Sequence, residues 1–222
     1  MDKLLILIGF FFVGTILAQD DQDFDDFDES FLFEELEAGY YDSWEEALEQ
    51  PDSVYSLELN DRKLVELPST IGQFKNLRKL TIRNTQLQSL PASVGNLEQL
   101  EELNLYKNKL TVLPNTLSNL VQLRVLDVSS NALKELPENI GQLTKLEELY
   151  AHKNELTQIP LSIKKITGLR GITVGKNTDL RQLPLELGKL KQLLVIDAKA
   201  SPIDSQNVAE LKKMLPNCKI RL

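Results

Sequence analysis

The leucines of this chain recur with a period of 23 residues, and few folds can satisfy such a period. Leu77, Leu80 and Ile82 are echoed by Leu100, Leu103 and Leu105, then by Leu123, Leu126 and Val128, with further units opening at Leu146 and Leu169. A first unit begins at Val54. Leu193 opens a terminal strand after 24 residues, because Asn177-Thr178-Asp179-Leu180 carries one residue more than its counterparts. Six units and a terminal strand therefore occupy residues 54–200. No unit can bury its leucines alone, so neighbours must stack to make a continuous core.

Each column of the repeat has a physical reading when the opening residue is counted as position one. Apolar residues at positions four and six alternate with polar ones, as a half-buried strand requires. Asparagine at position nine (Asn108, Asn131, Asn154, Asn177) sits where the chain leaves the strand. Its amide can satisfy backbone groups opened by the turn, and stacked copies make a ladder. Leu-Pro then starts a return limb, since proline fixes φ and brings no donor. An Ile-Gly-x-Leu stretch turns the chain back to the core.

These motifs resemble the leucine-rich-repeat family, in the class with Leu-Pro-x-x-Ile-Gly-x-Leu repeats. The resemblance covers residues 54–200 and departs at position nine where Arg62, Thr85 and Ser201 stand. It implies an α/β fold: a right-handed solenoid with a parallel sheet on its concave side, used for protein recognition. Terminal repeats need caps. Ser43 and Glu46 have capping-box spacing, predicting an N-terminal helix over 43–53 whose Trp44, Ala47 and Leu48 cover the first repeat. At the other end, residues 201–222 predict a helix with Val208, Leu211 and Leu215 on one face, then a short strand carrying Cys218 as a buried small residue.

The segment before the repeats is different in kind. Met1-Asp2-Lys3, an apolar run from Leu4 to Ala18 and a polar turn predict an export signal over 1–18, cleaved after Ala18. The run is short for a bilayer span, although an anchor formed by residues 4–18, or retention in the cytoplasm, stays open. No cysteine follows the run, so no lipid anchor is expected. Residues 19–42 read as an acidic disordered leader. Residues 20–52 hold fifteen Asp and Glu and no Lys or Arg, whereas residues 150–222 hold 13 basic against 6 acidic residues. A leader of that charge either spaces the repeats from the cut or masks the basic C-terminal half.

Positions three, five and seven of each strand face away from the leucines. Tyr106, Asp127, Glu148, Tyr150 and His152 fall on three neighbouring strands and form the expected ligand-binding patch, with Lys153 and Lys176 on its turn-side edge. Gly171 and Gly175 on the next strand predict a depression beside it. Position two (Arg78, Glu101, Arg124, Glu147, Arg170) alternates in sign and predicts a structural ion ladder. Catalysis is not expected. The single histidine could meet Ser129 or Ser130, but a shallow sheet face offers no oxyanion hole. One histidine and one distant cysteine do not make a zinc site, and no cofactor is implied. The expected partner of this monomer is a protein or peptide. Scattered basic residues argue against nucleic acid.

Overall fold

Strands form where each repeat begins to alternate. They are β2 (Ser56–Leu59), β3 (Lys79–Ile82), β4 (Glu102–Asn104), β5 (Val125–Asp127), β6 (Glu148–Tyr150), β7 (Gly171–Thr173) and β8 (Val195–Asp197). This computed structural model describes residues 39–222, so the expected export signal and most of the leader lie outside the described residues. Among the described residues the strands make one nine-stranded sheet in sequence order, every pairing parallel. The register follows the sequence period: Leu103 pairs with Leu126, Leu126 with Leu149 and Leu149 with Ile172. Each column of the repeat thus becomes a row across the sheet.

The return limbs are single 3-10 turns, most of them placed directly after the prolines, as at Ala92–Asn96 after Pro91 and Leu161–Lys165 after Pro160, whereas Ile140–Gln142 begins three residues after Pro137. Val94 and Ile163 of these turns are fully buried against the strand leucines. The glycine of the Ile-Gly motif serves close approach. A methyl on Gly95 would come 2.5 Å from the backbone oxygen of Thr116 on the next limb, and one on Gly141 would meet the Ser162 carbonyl.

The asparagine ladder forms as a continuous network. Asn131 Nδ2 donates to the carbonyls of Leu105 (3.0 Å) and Val128 (2.9 Å), while its Oδ1 accepts from Leu110 N at 3.0 Å. Asn154 repeats this with Val128, Ala151 and Leu133, and Asn177 with Ala151, Val174 and Leu156. Where the sequence departs, smaller groups continue the row. The Thr85 hydroxyl donates to Asn108 Oδ1, and Ser201 Oγ donates to the Val174 carbonyl at 2.9 Å while accepting from Asn177 N at 3.0 Å.

Both ends are capped. The helix α1 (Trp44–Glu49) has Ser43 as N-cap, its hydroxyl accepting from Glu46 N at 3.3 Å. The reciprocal arm of a capping box is replaced by Ser43 Oγ donating to Glu45 Oε2. Ala47 is buried and Trp44 meets Phe74 edge-on at 5.5 Å, but Leu48 is exposed rather than covering the first repeat. The end of the stretch assigned to the leader also differs from expectation. Tyr40–Tyr41 form β1, which extends the sheet beyond β2, because the open edge of β2 supplies the hydrogen-bonding groups that a short extended segment needs. At the other end α2 (Ser205–Met214), capped by Asp204, buries Val208 and Leu211, and β9 (Lys219–Arg221) pairs with β8. Cys218 is buried there, and burial pushes its thiol up. No helix among the described residues is long and apolar enough to cross a membrane.

Candidate functional site

The expected patch is brought together, in a more closed form than alternation alone suggests. Register places Asp127 opposite Tyr150, and Tyr150 opposite Thr173. One step further along, Tyr106, Ser129 and His152 share a row. Strands two apart are separated by roughly 9–10 Å, yet the Tyr106 and His152 rings have centroids only 6.4 Å apart, tilted by 41°. They lean together across the strand between them. Ser129, the small residue on that strand, is fully buried as a result. It was expected on open surface, and the neighbouring rings cover it.

Asp127 has a role beyond the patch. Its Oδ1 accepts from Ser129 N at 2.8 Å, as Asn104 Oδ1 accepts from Tyr106 N (3.0 Å) and Asp197 Oδ1 from Lys199 N (3.1 Å). Position five therefore carries a recurring side-chain turn that closes the strand end. Thr81 and Asn104 in this row are themselves buried, so the row is open only in part. Burial raises the Asp127 carboxyl, against opposing effects of the Ser129 N–H and hydroxyl and of His152. Glu148 is likewise raised, by burial first and then by Glu147. The Tyr150 phenol is pushed up to about 12 by burial and by both Glu148 and Asp127, the first two residues before it on β6 and the second opposite it on β5.

The depression expected at the glycines is filled. The Glu148 carboxylate occupies the space above Gly171, and the Lys199 backbone lies against Gly175, so both glycines are buried. Glycine left room that its neighbours took. Lys153 and Lys176 stand on the turn edge at position eight, exposed, with φ of 56° and 58°. Asn84, Lys107, Ser130 and Ala200 share this left-handed conformation. The N–H of Lys153 donates to the Gly175 carbonyl at 2.7 Å and that of Lys176 to the Lys199 carbonyl at 2.8 Å, which holds the bend. The position-two ladder is present at three of its four steps: Arg78–Glu101 at 3.9 Å, Arg124–Glu147 at 2.9 Å and Arg170–Glu147 at 4.0 Å.

Two depressions that the sequence did not announce lie away from the patch. One, of about 390 Å³, is lined by Arg62, Asn84, Lys107 and Lys109 among others. The second, of about 460 Å³, lies between Trp44, Leu59, Leu64 and Pro68 near the N-terminal cap. The first depends on how turns of neighbouring repeats overhang one another and the second on how the cap lies against the first repeat, which no single repeat encodes. Among the described residues no group of three or more His, Cys, Asp or Glu is placed to hold a metal ion.

A family model described as leucine-rich repeat region matches residues 101–220, just over half of the chain. No curated protein matches the chain. Among solved structures it is similar to an internalin (InlF) of Listeria monocytogenes, with a TM-score of 0.63 and 24% identity over 77% of this chain and 48% of the internalin. The chain thus spans about half the length of that protein. It is also similar to the leucine-rich repeat domain of the type III effector XopL, with a TM-score of 0.60 and 25% identity over 82% of this chain and 72% of that one.

Proposed function

This chain belongs to the leucine-rich-repeat family, whose stacked repeats present extended surfaces suited to protein recognition, and we propose that it binds another protein or peptide, outside the cytoplasm, through the patch around Tyr106 and His152. The observation that carries the reading is the ring pair itself. Two aromatic side chains converge at 6.4 Å on the outward face of the sheet, and Tyr106 stays 37% exposed. Exposed aromatics flanked by hydrogen-bonding groups are the usual centres of binding energy in interfaces. The same geometry favours binding over catalysis. Ser129 Oγ, in the row between Tyr106 and His152, has no hydrogen-bond partner, so that serine is not activated by the histidine.

The test is a Tyr106→Ala/His152→Ala variant used beside the wild-type full chain in affinity capture, followed by binding measurements on the purified captured protein. Partly exposed side chains leave the core intact, so both proteins should melt within a few degrees of each other. The variant should bind at least about tenfold more weakly, the loss typical of a central aromatic anchor. Equal binding would remove the patch from the function. Export rests on residues 1–18 and has its own test: the secreted protein should begin at Gln19, and an intact Met1 on the mature chain would overturn it.

A further inference from the structure

Charged side chains on the outward face of the sheet mostly pair within the fold. Glu58 meets Arg83 at 3.2 Å and Tyr40 Oη at 3.3 Å, Lys79 meets Glu102 at 3.1 Å, and Asp197 meets Arg221 at 3.6 Å. Two carboxylates in the middle of the face break this pattern. Asp127 bonds only the Ser129 N–H, through one oxygen, and Glu148 makes no hydrogen bond or ion pair among the described residues. The nearest guanidinium to influence Glu148, that of Arg170, is engaged on Glu147. Both carboxylates are half-buried and neighbour Tyr150, Asp127 opposite it on β5 and Glu148 two residues before it on β6, with Tyr106, Ser129 and His152 in the next outward row.

Resting on the binding reading above, we infer that this cluster receives a positively charged side chain of the partner, an arginine or a lysine, set against Asp127 and Glu148 and over the aromatic rings. Half-buried carboxylates without a cation are costly to keep, and an incoming guanidinium or ammonium supplies the missing charge. The faces of Tyr106 and Tyr150 add cation–π attraction to the same group. A second observation points the same way. Ser129 is fully buried in the row between Tyr106 and His152, and its hydroxyl makes no hydrogen bond, although it is close enough to Asp127 to favour the charged carboxylate. That oxygen lies next to the Asp127 carboxylate, and the N–H of a cation drawn to that carboxylate would give it a donor.

His152 is the only histidine in the sequence, so its ring protons in the untagged full chain are a one-residue reporter on this site. The probe is the peptide acetyl-Gly-Arg-Gly-amide, with its citrulline analogue as a neutral control of the same shape. The arginine peptide should shift the His152 resonance saturably and the citrulline peptide should not. In the Asp127→Asn/Glu148→Gln variant the affinity should fall at least about fivefold. Asparagine keeps the oxygen that accepts from Ser129 N, so the strand end stays closed, and peptide taken up by acidic residues elsewhere is common to both proteins. Three outcomes overturn the inference: no saturable shift, an equal shift with citrulline, or unchanged affinity in the variant. A captured partner that needs Tyr106 and His152 but binds the Asp127→Asn/Glu148→Gln variant as tightly as wild type would remove the cation and leave the binding face standing.

Discussion

Removing one rung of the asparagine ladder tests what holds the repeats together. In Asn154→Ala the Leu133 N–H, buried and bonded to Asn154 Oδ1 at 3.0 Å, loses its acceptor. The carbonyls of Val128 and Ala151 each lose a donor but keep another, from Asn131 at 2.9 Å and Asn177 at 3.1 Å respectively. An orphaned buried N–H costs about 2 kcal/mol and each forfeited second bond about 0.5 kcal/mol, for a total of about 3 kcal/mol. With a urea dependence of about 2 kcal/mol per molar, the unfolding midpoint should fall by about 1.5 M. Asn76→Ala, which loses one exposed bond to the Asp52 carbonyl, should cost under about 1 kcal/mol. Asn154→Asp keeps the acceptor and loses both donors, so at neutral pH it should be at least as damaging as alanine. Urea unfolding followed by circular dichroism decides the matter. A midpoint shift for Asn154→Ala no larger than that for Asn76→Ala would mean that the ladder bonds are no better than those made with water.

The glycines give a second comparison. Gly141→Ala places a methyl against the Ser162 carbonyl, a backbone atom that cannot yield, and should cost more than about 2 kcal/mol. Gly171→Ala meets only the flexible Glu148 carboxylate and should cost under about 1 kcal/mol, so thermal melts in the reverse order would contradict the packing described. The two raised carboxyls give a third. Burial raises Asp127 and Glu148 in the folded state above their ordinary values of 3.8 and 4.5, so their charged forms oppose folding at neutral pH. That opposition is relieved as pH falls through the folded values, because the folded state then binds more protons than the unfolded one. Asp127→Asn/Glu148→Gln should therefore be more stable than wild type at pH 7. The difference should vanish below the ordinary values, and a gain that persists at pH 3 would refute the electrostatic cause.

The repeat columns were legible because each answers to a demand that recurs every 23 residues. Leucine at position four, asparagine at position nine and proline after Leu90, Leu113 or Leu136 recur because every unit must make the same strand, turn and limb. Features that depend on neighbours were not legible. Ser129 is covered because Tyr106 and His152 happen to flank it, and Gly171 is filled because Glu148 precedes it by one repeat. The left-handed bends at Lys107, Lys153 and Lys176 carry no signal, since lysine has no preference for positive φ. Tyr40 and Tyr41 are too few for a periodicity to announce a strand.

This division also explains why binding should centre where it does. Position two is spent on ion pairs between neighbouring repeats, position nine on backbone carbonyls, and position five on closing the strand end through one side-chain oxygen. What such a fold leaves over for a partner is whatever those tasks do not consume. On β5 and β6 that remainder is the second oxygen of Asp127, the whole carboxylate of Glu148 and the ring faces above Ser129. Because Asp127 serves both the strand end and the patch, Asp127→Ala would confound the two by freeing the Ser129 N–H as well as removing the charge. Only Asp127→Asn separates them, so the chemistry of the patch is readable through amide substitutions and not through truncations.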